Sequence, residues 1–189
     1  MAATEEATAV AAVAAAVAAA INLFSPHTMH DLTDPLWLRL KAYHPDKTGV
    51  ALTFSHRLAR ENGWTRRFAL RAIEEYKRFV YLACTGNQPV TPSEEVDQVW
   101  HLHLIYSKLY WDDFCGEVLQ RPLHHSPTEG GHAERAKYHM LYEQTKQRYQ
   151  EIFGEAPPAD LWPPAKKRFA PGNWRWINLN RFWLIPRFV

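Results

Sequence analysis

Six of the ten histidines in this 189-residue chain fall between His101 and His139, and carboxylates lie among them. Imidazole with carboxylate is the donor set of a Zn(II) or Fe(II) centre. Spacing prunes the set. Asp97 and His101 are four apart, so on a helix they share a face and could ligate one ion. Asp97 could equally orient the imidazole from behind. His103, two residues further, points roughly 200° around the axis from His101. His132 and His139 share a face but are separated by roughly 10 Å, too far for one ion. A third ligand must come from elsewhere, and the His124-His125 loop is the natural supplier. Two helical ligands and one from a loop would leave coordination positions open, as a catalytic site requires. Without an ion, Asp97 and His101 are an exposed surface pair worth about 0.2–0.5 kcal/mol.

The other reactive side chains carry less. His103 sits among Val96, Val99, Tyr106 and Tyr110, which suits a buried, hydrogen-bonded histidine. Cys115 falls on the Asp97 stripe but lies roughly 21 Å along the helix from His101, so no dyad forms within that helix. A dyad with His124 or His125 stays open. His139 and Glu143 read as a solvated pair. GxSxG, HExxH, P-loop and GxGxxG motifs do not occur.

The elements that must position these groups are helices. Asp34-Pro35 opens one through Tyr43, and a second runs from about Ala51 to Glu61. A long helix spans Thr65 to Thr85, with Gly86 at its stop. Thr91-Pro92-Ser93-Glu94 predicts an N-cap threonine, a proline at the first helical position and a capping box closed by Glu94. That helix is expected to continue to Phe114 or Cys115 and stop at Gly116. Its apolar residues cover most directions, and Glu94, Asp97, His101, Lys108 and Asp112 form one polar stripe. Such a helix belongs near the centre of the fold. The last helix starts at Thr128 or Glu129 and ends at Phe153-Gly154. No stretch reads as a hairpin.

With 47% hydrophobic and 22% charged residues, the chain has globular composition and enough length for a core. Cys84 and Cys115 read as reduced thiols of a cytoplasmic protein. A net charge of +2 does not argue for nucleic acid, and no sheet is available as an RNA platform. The charge is uneven: the six Lys and Arg residues after Asp160 have no acidic counterpart, which leaves −4 on the rest. Residues 165–189 are thus a basic aromatic tail, in which Trp174, Trp176, Phe182, Trp183 and Phe188 accompany that charge. It either wraps onto the core or meets a protein partner or membrane surface. Residues 1–25 form an Ala-rich helix with Val10, Val13, Val17, Ile21 and Phe24 on one stripe. The stripe suits packing on a protein surface; a membrane anchor is the other reading. Residues 26–164 form the helical domain between them. The fold expected is all-α: a single-domain irregular helical bundle with an extended Pro/Trp-rich C-terminal tail.

The run Pro92-Ser93-Glu94-Glu95-Val96-Asp97-Gln98-Val99-Trp100-His101-Leu102-His103 resembles the P-S-x-x-V-D-x-x-W-H-x-H segment of glycine-rich domain-containing proteins and their bacterial relatives. The likeness continues through Tyr110, Phe114-Cys115, Leu123-His124-His125-Ser126-Pro127, Tyr142, Thr145, Tyr149, Phe153-Gly154, Pro157 and Trp162-Pro163, covering about residues 65–164. With only eight glycines, the chain lacks the glycine-rich tail of the plant members. The resemblance implies that the recurring polar positions are Asp97, His101, His103 and His125. The expected centre is therefore a divalent metal, Zn or Fe, on Asp97, His101 and His125, with His103 and His124 in reserve. A non-catalytic module that contacts its partner through the termini is the competing reading.

Overall fold

The computed structural model describes residues 33–126 and 132–170. Among them are helices α1 (Pro35–Ala42), α2 (Phe54–Asn62), α3 (Arg66–Thr85) and α4 (Glu94–Ile105). A π-helix (Leu109–Leu119), α5 (His132–Phe153) and the short α6 (Ala165–Arg168) follow, with no strand among the described residues. The fold is all-α. The Ala-rich stretch at residues 7–23, residues 171–189 of the tail and the expected start of α5 lie outside the described residues. No helix among those described is long and apolar enough to cross a membrane.

Local chemistry sets the helix starts. The Asp34 carboxylate accepts from the Leu36 and Trp37 amides at 2.8 and 3.2 Å, with Pro35 at the first turn. Thr53 and Thr65 cap α2 and α3 in the same manner. Helix α2 stops at Gly63, which takes the left-handed φ of 66° that a side chain would disfavour.

Helix α3 is the centre. Its Ala72, Ile73, Tyr76, Phe79, Val80 and Leu82 are buried, and α1, α2, α4 and α5 all pack on it. Helix α4, the expected centre, is its principal partner.

Two expectations about α4 are corrected. Its N-cap is Ser93, whose hydroxyl accepts from the Val96 amide at 3.2 Å, rather than Thr91. The Thr91 amide is spent on Thr145 Oγ1 of α5 at 2.9 Å, so Thr91 ties two elements together. Glu94 is then the first helical residue and closes no capping box; its Oε1 accepts from Gln98 Nε2 at 3.0 Å, and Oε2 is left for a distant partner.

The second correction concerns the end of α4. The helix breaks at Tyr106 and resumes as the wider π-helix, which passes through Gly116 and ends at Gln120 in the left-handed region. The buried residues Tyr110, Phe114, Cys115 and Leu119 recur at steps of four and five, which suits i→i+5 winding better than 3.6 residues per turn. Projecting one ideal helix to Asp112 therefore fails beyond Ile105, and Ile105 itself is 73% exposed.

Candidate metal centre

Helix α4 supplies two members of the site from one face. His101 Nε2 lies 3.8 Å from Asp97 Oδ1, the approach expected one helical turn apart. The third comes from the segment after the π-helix, where His125 Nε2 reaches 2.8 Å from the same oxygen. One ligand atom from each of Asp97, His101 and His125 can be chosen so that all lie within 4.8 Å of one another. The loop does fold back onto the helix.

That fold-back has an identifiable cause. Tyr110, on the π-helix, donates its hydroxyl proton to the Leu123 carbonyl and accepts from Trp100 Nε1 at 2.9 Å. The hydroxyl thus pins the segment two residues before His125 to the indole of α4. The indole also forms one wall of the site, with its centroid 4.4 Å from the His125 ring. The π winding that buries Tyr110 is part of what places the loop.

The two faces of the Asp97 carboxylate differ. Oδ1 is turned to the imidazoles, while Oδ2 lies 3.9 Å from Nη2 of Arg168. The Arg168 guanidinium is held by Glu94 Oε2 at 2.5 Å from Nη1 and by the Pro92 carbonyl at 3.4 Å from Nε. Arg168 reaches α4 because the Pro-rich segment is anchored. Tyr142 donates to the Pro163 carbonyl, Trp162 Nε1 donates to the buried Glu75 at 2.9 Å, and the Ala165 amide donates to Glu143 at 3.2 Å.

The reserve residues lie elsewhere. His103 is buried, with Nε2 2.8 Å from the Tyr43 hydroxyl and Nδ1 3.2 Å from that of Tyr76. Removal from water pushes its pKa down to about 3, so the ring is neutral. This is the buried, hydrogen-bonded histidine its apolar neighbours suggested. His124 packs on Trp111, ring centroids 5.4 Å apart. Cys115 is buried, and burial raises its thiol pKa, the opposite of nucleophile activation. His139 lies against Phe169, and Glu143 is engaged with Ala165 and Lys146.

Sequence reasoning missed Arg168 and the role of Glu94. They are 74 residues apart, and by sequence Arg168 belongs to the basic tail. The lack of acidic residues after Asp160 was the only local hint that cations there need partners elsewhere.

No protein-family profile matches the chain, and no solved structure matches it. Over 106 residues it is 24% identical to Glycine-rich domain-containing protein 1 of Arabidopsis thaliana. The match covers 53% of this chain and 13% of that relative's length. The similarity agrees with the resemblance carried by Pro92–His103, and the relative's printed name states no activity.

Proposed function

We propose that this chain is a metal-binding helical domain in which Asp97, His101 and His125 hold one divalent ion, Zn(II) or Fe(II). The observation that carries the reading is the convergence of three donors, two from α4 and one from a loop, to within 4.8 Å. Bonds of 2.0–2.1 Å to a tetrahedral ion place ligand atoms about 3.3 Å apart. The 2.8 Å and 3.8 Å separations at Asp97 Oδ1 bracket that value. The widest separation in the cluster is bounded by 4.8 Å, so seating an ion requires the imidazoles to close by up to about 1.5 Å.

Two nitrogens and one carboxylate oxygen suit Zn(II) or Fe(II) better than the all-oxygen shells of Mg(II) or Ca(II). Half-exposed His101 leaves one side of the site open to water or a substrate, while Trp100 and the loop close the other. Bound there, the ion would supply a water of lowered pKa or a Lewis acid. Such a centre would be mononuclear with an open position, at which a reaction of unassigned substrate could take place.

Metal analysis of protein purified without a histidine tag tests the reading. About one equivalent of Zn or Fe is expected, lost in both His101→Ala and His125→Ala. A substoichiometric content that neither substitution changes removes the proposal.

A further inference from the structure

We infer that Arg168 restricts Asp97 to single-oxygen ligation, and so selects for an ion of low coordination number over one that favours a chelating carboxylate. The inference rests on the metal reading above and adds a specificity-determining residue to it. Arg168 touches no ion in this scheme; it acts through Asp97.

The argument starts from the guanidinium, whose plane is fixed at two points. Nη1 is on Glu94 and Nε on the Pro92 carbonyl, which leaves Nη2 directed at Asp97 Oδ2. The side chain is only 15% exposed, so water screens this arrangement less than it would a surface pair. Its backbone is held by the α6 turn, where the Arg168 amide donates to the Pro164 carbonyl at 3.1 Å. The Asp97 carboxylate is therefore divided, with Oδ1 facing two imidazoles and Oδ2 facing a fixed cation.

An ion seated between Oδ1 and the imidazoles meets one oxygen. Chelation by both oxygens, frequent in the larger shells of oxygen-seeking cations, would rotate the carboxylate and draw Oδ2 away from Arg168. It would also bring the ion closer to a positive charge. Both costs fall on the chelating mode and spare the single-oxygen mode that four-coordinate Zn(II) uses.

The test compares Zn(II) and Mn(II) dissociation constants for the full chain with those of Arg168→Met and Arg168→Gln. Glutamine keeps a hydrogen-bonding end near Glu94 and Pro92, so it reports even where methionine disturbs the docking of α6. In both variants the preference for Zn(II) over Mn(II) should fall by about tenfold or more, the scale on which outer partners of metal ligands act. Arg168→Lys, which keeps a cation, should restore most of the preference. With Co(II) as the probe, the visible d–d bands should weaken in Arg168→Gln as coordination number rises.

Equal changes in both affinities, or none, overturn the inference and leave the metal site standing. Failure of the unmodified chain to bind either ion removes the site itself, and this inference with it.

Discussion

His125 Nε2 stands 2.8 Å from Oδ1 of Asp97, a residue 28 positions earlier in the chain. The contact closes a loop over the first turn of α4 and completes the three-donor cluster. Neither residue is fully buried, so ions and protons can reach the pair, and the geometry can be tested one partner at a time.

Asp97→Asn keeps the side-chain shape and removes the charge that Zn(II) requires. Ligand binding at about 100 times Kd stabilises a folded protein by about 2.7 kcal/mol. The unmodified chain should therefore gain stability of that order when Zn(II) is added, and Asp97→Asn should gain almost none. Urea titrations with and without the metal measure both, and an undiminished metal-induced shift in the variant would exclude Asp97 as a ligand.

Tyr110→Phe should loosen the loop that carries His125. The change strands Trp100 Nε1 and the Leu123 carbonyl, and a stranded buried group costs about 1–3 kcal/mol. Chemical denaturation should show a loss on that scale, and metal titration a weaker Kd. An unchanged Kd alongside lost stability would mean that another contact orders the loop.

His103 makes stability depend on pH. Its folded pKa of about 3 lies below the ordinary 6.5, so as pH falls the unfolded chain takes up the proton first. The contribution of the neutral ring is intact above pH 6.5 and erodes by about 1.4 kcal/mol per pH unit down to about pH 3. His103→Gln keeps a donor and an acceptor for the two tyrosines but does not titrate. Its stability should fall less steeply between about pH 4 and pH 6. Identical slopes in denaturant titrations of the two proteins would refute the assignment.

Gly86 and Arg148 should behave as one unit. Gly86 stands at the stop of α3 as expected, but in extended rather than left-handed backbone, so positive φ is not what the position needs glycine for. A Cβ there would lie 1.7 Å from Nη1 of Arg148, the group that donates to the Leu82 carbonyl at 2.9 Å near the end of α3. Gly86→Ala should displace the guanidinium, which also donates from Nη2 to Thr85 Oγ1 at 3.2 Å, at a cost of about 1–3 kcal/mol, two hydrogen bonds' worth. Arg148→Ala should cost a similar amount, and the double variant little more than either alone. Additive losses would show that the two do not share a contact.

Several features needed nothing beyond local order along the chain. Asp34-Pro35, Thr53 and Thr65 each carry their own capping chemistry, and Gly63 carries its own stop. The Asp97–His101 pair is set by the helical repeat alone, and the apolar company of His103 foretold its burial. These are effects within one or two turns, where side chain and backbone amide are neighbours by covalent geometry. What reached further was decided by tertiary packing. Ser93 rather than Thr91 caps α4 and the Thr91 amide is held by Thr145, while the long helix breaks at Tyr106 because a wider winding buries Tyr110, Phe114 and Leu119 together. The resemblance already singles out His125, but its seat on Asp97, and the arrival of Arg168 beside Asp97, depend on contacts between residues 28 and 71 positions apart. No periodicity encodes such contacts. They exist because Tyr110 and Trp162 must both bury their rings and satisfy their polar atoms, and in doing so they draw two distant segments onto one face of α4.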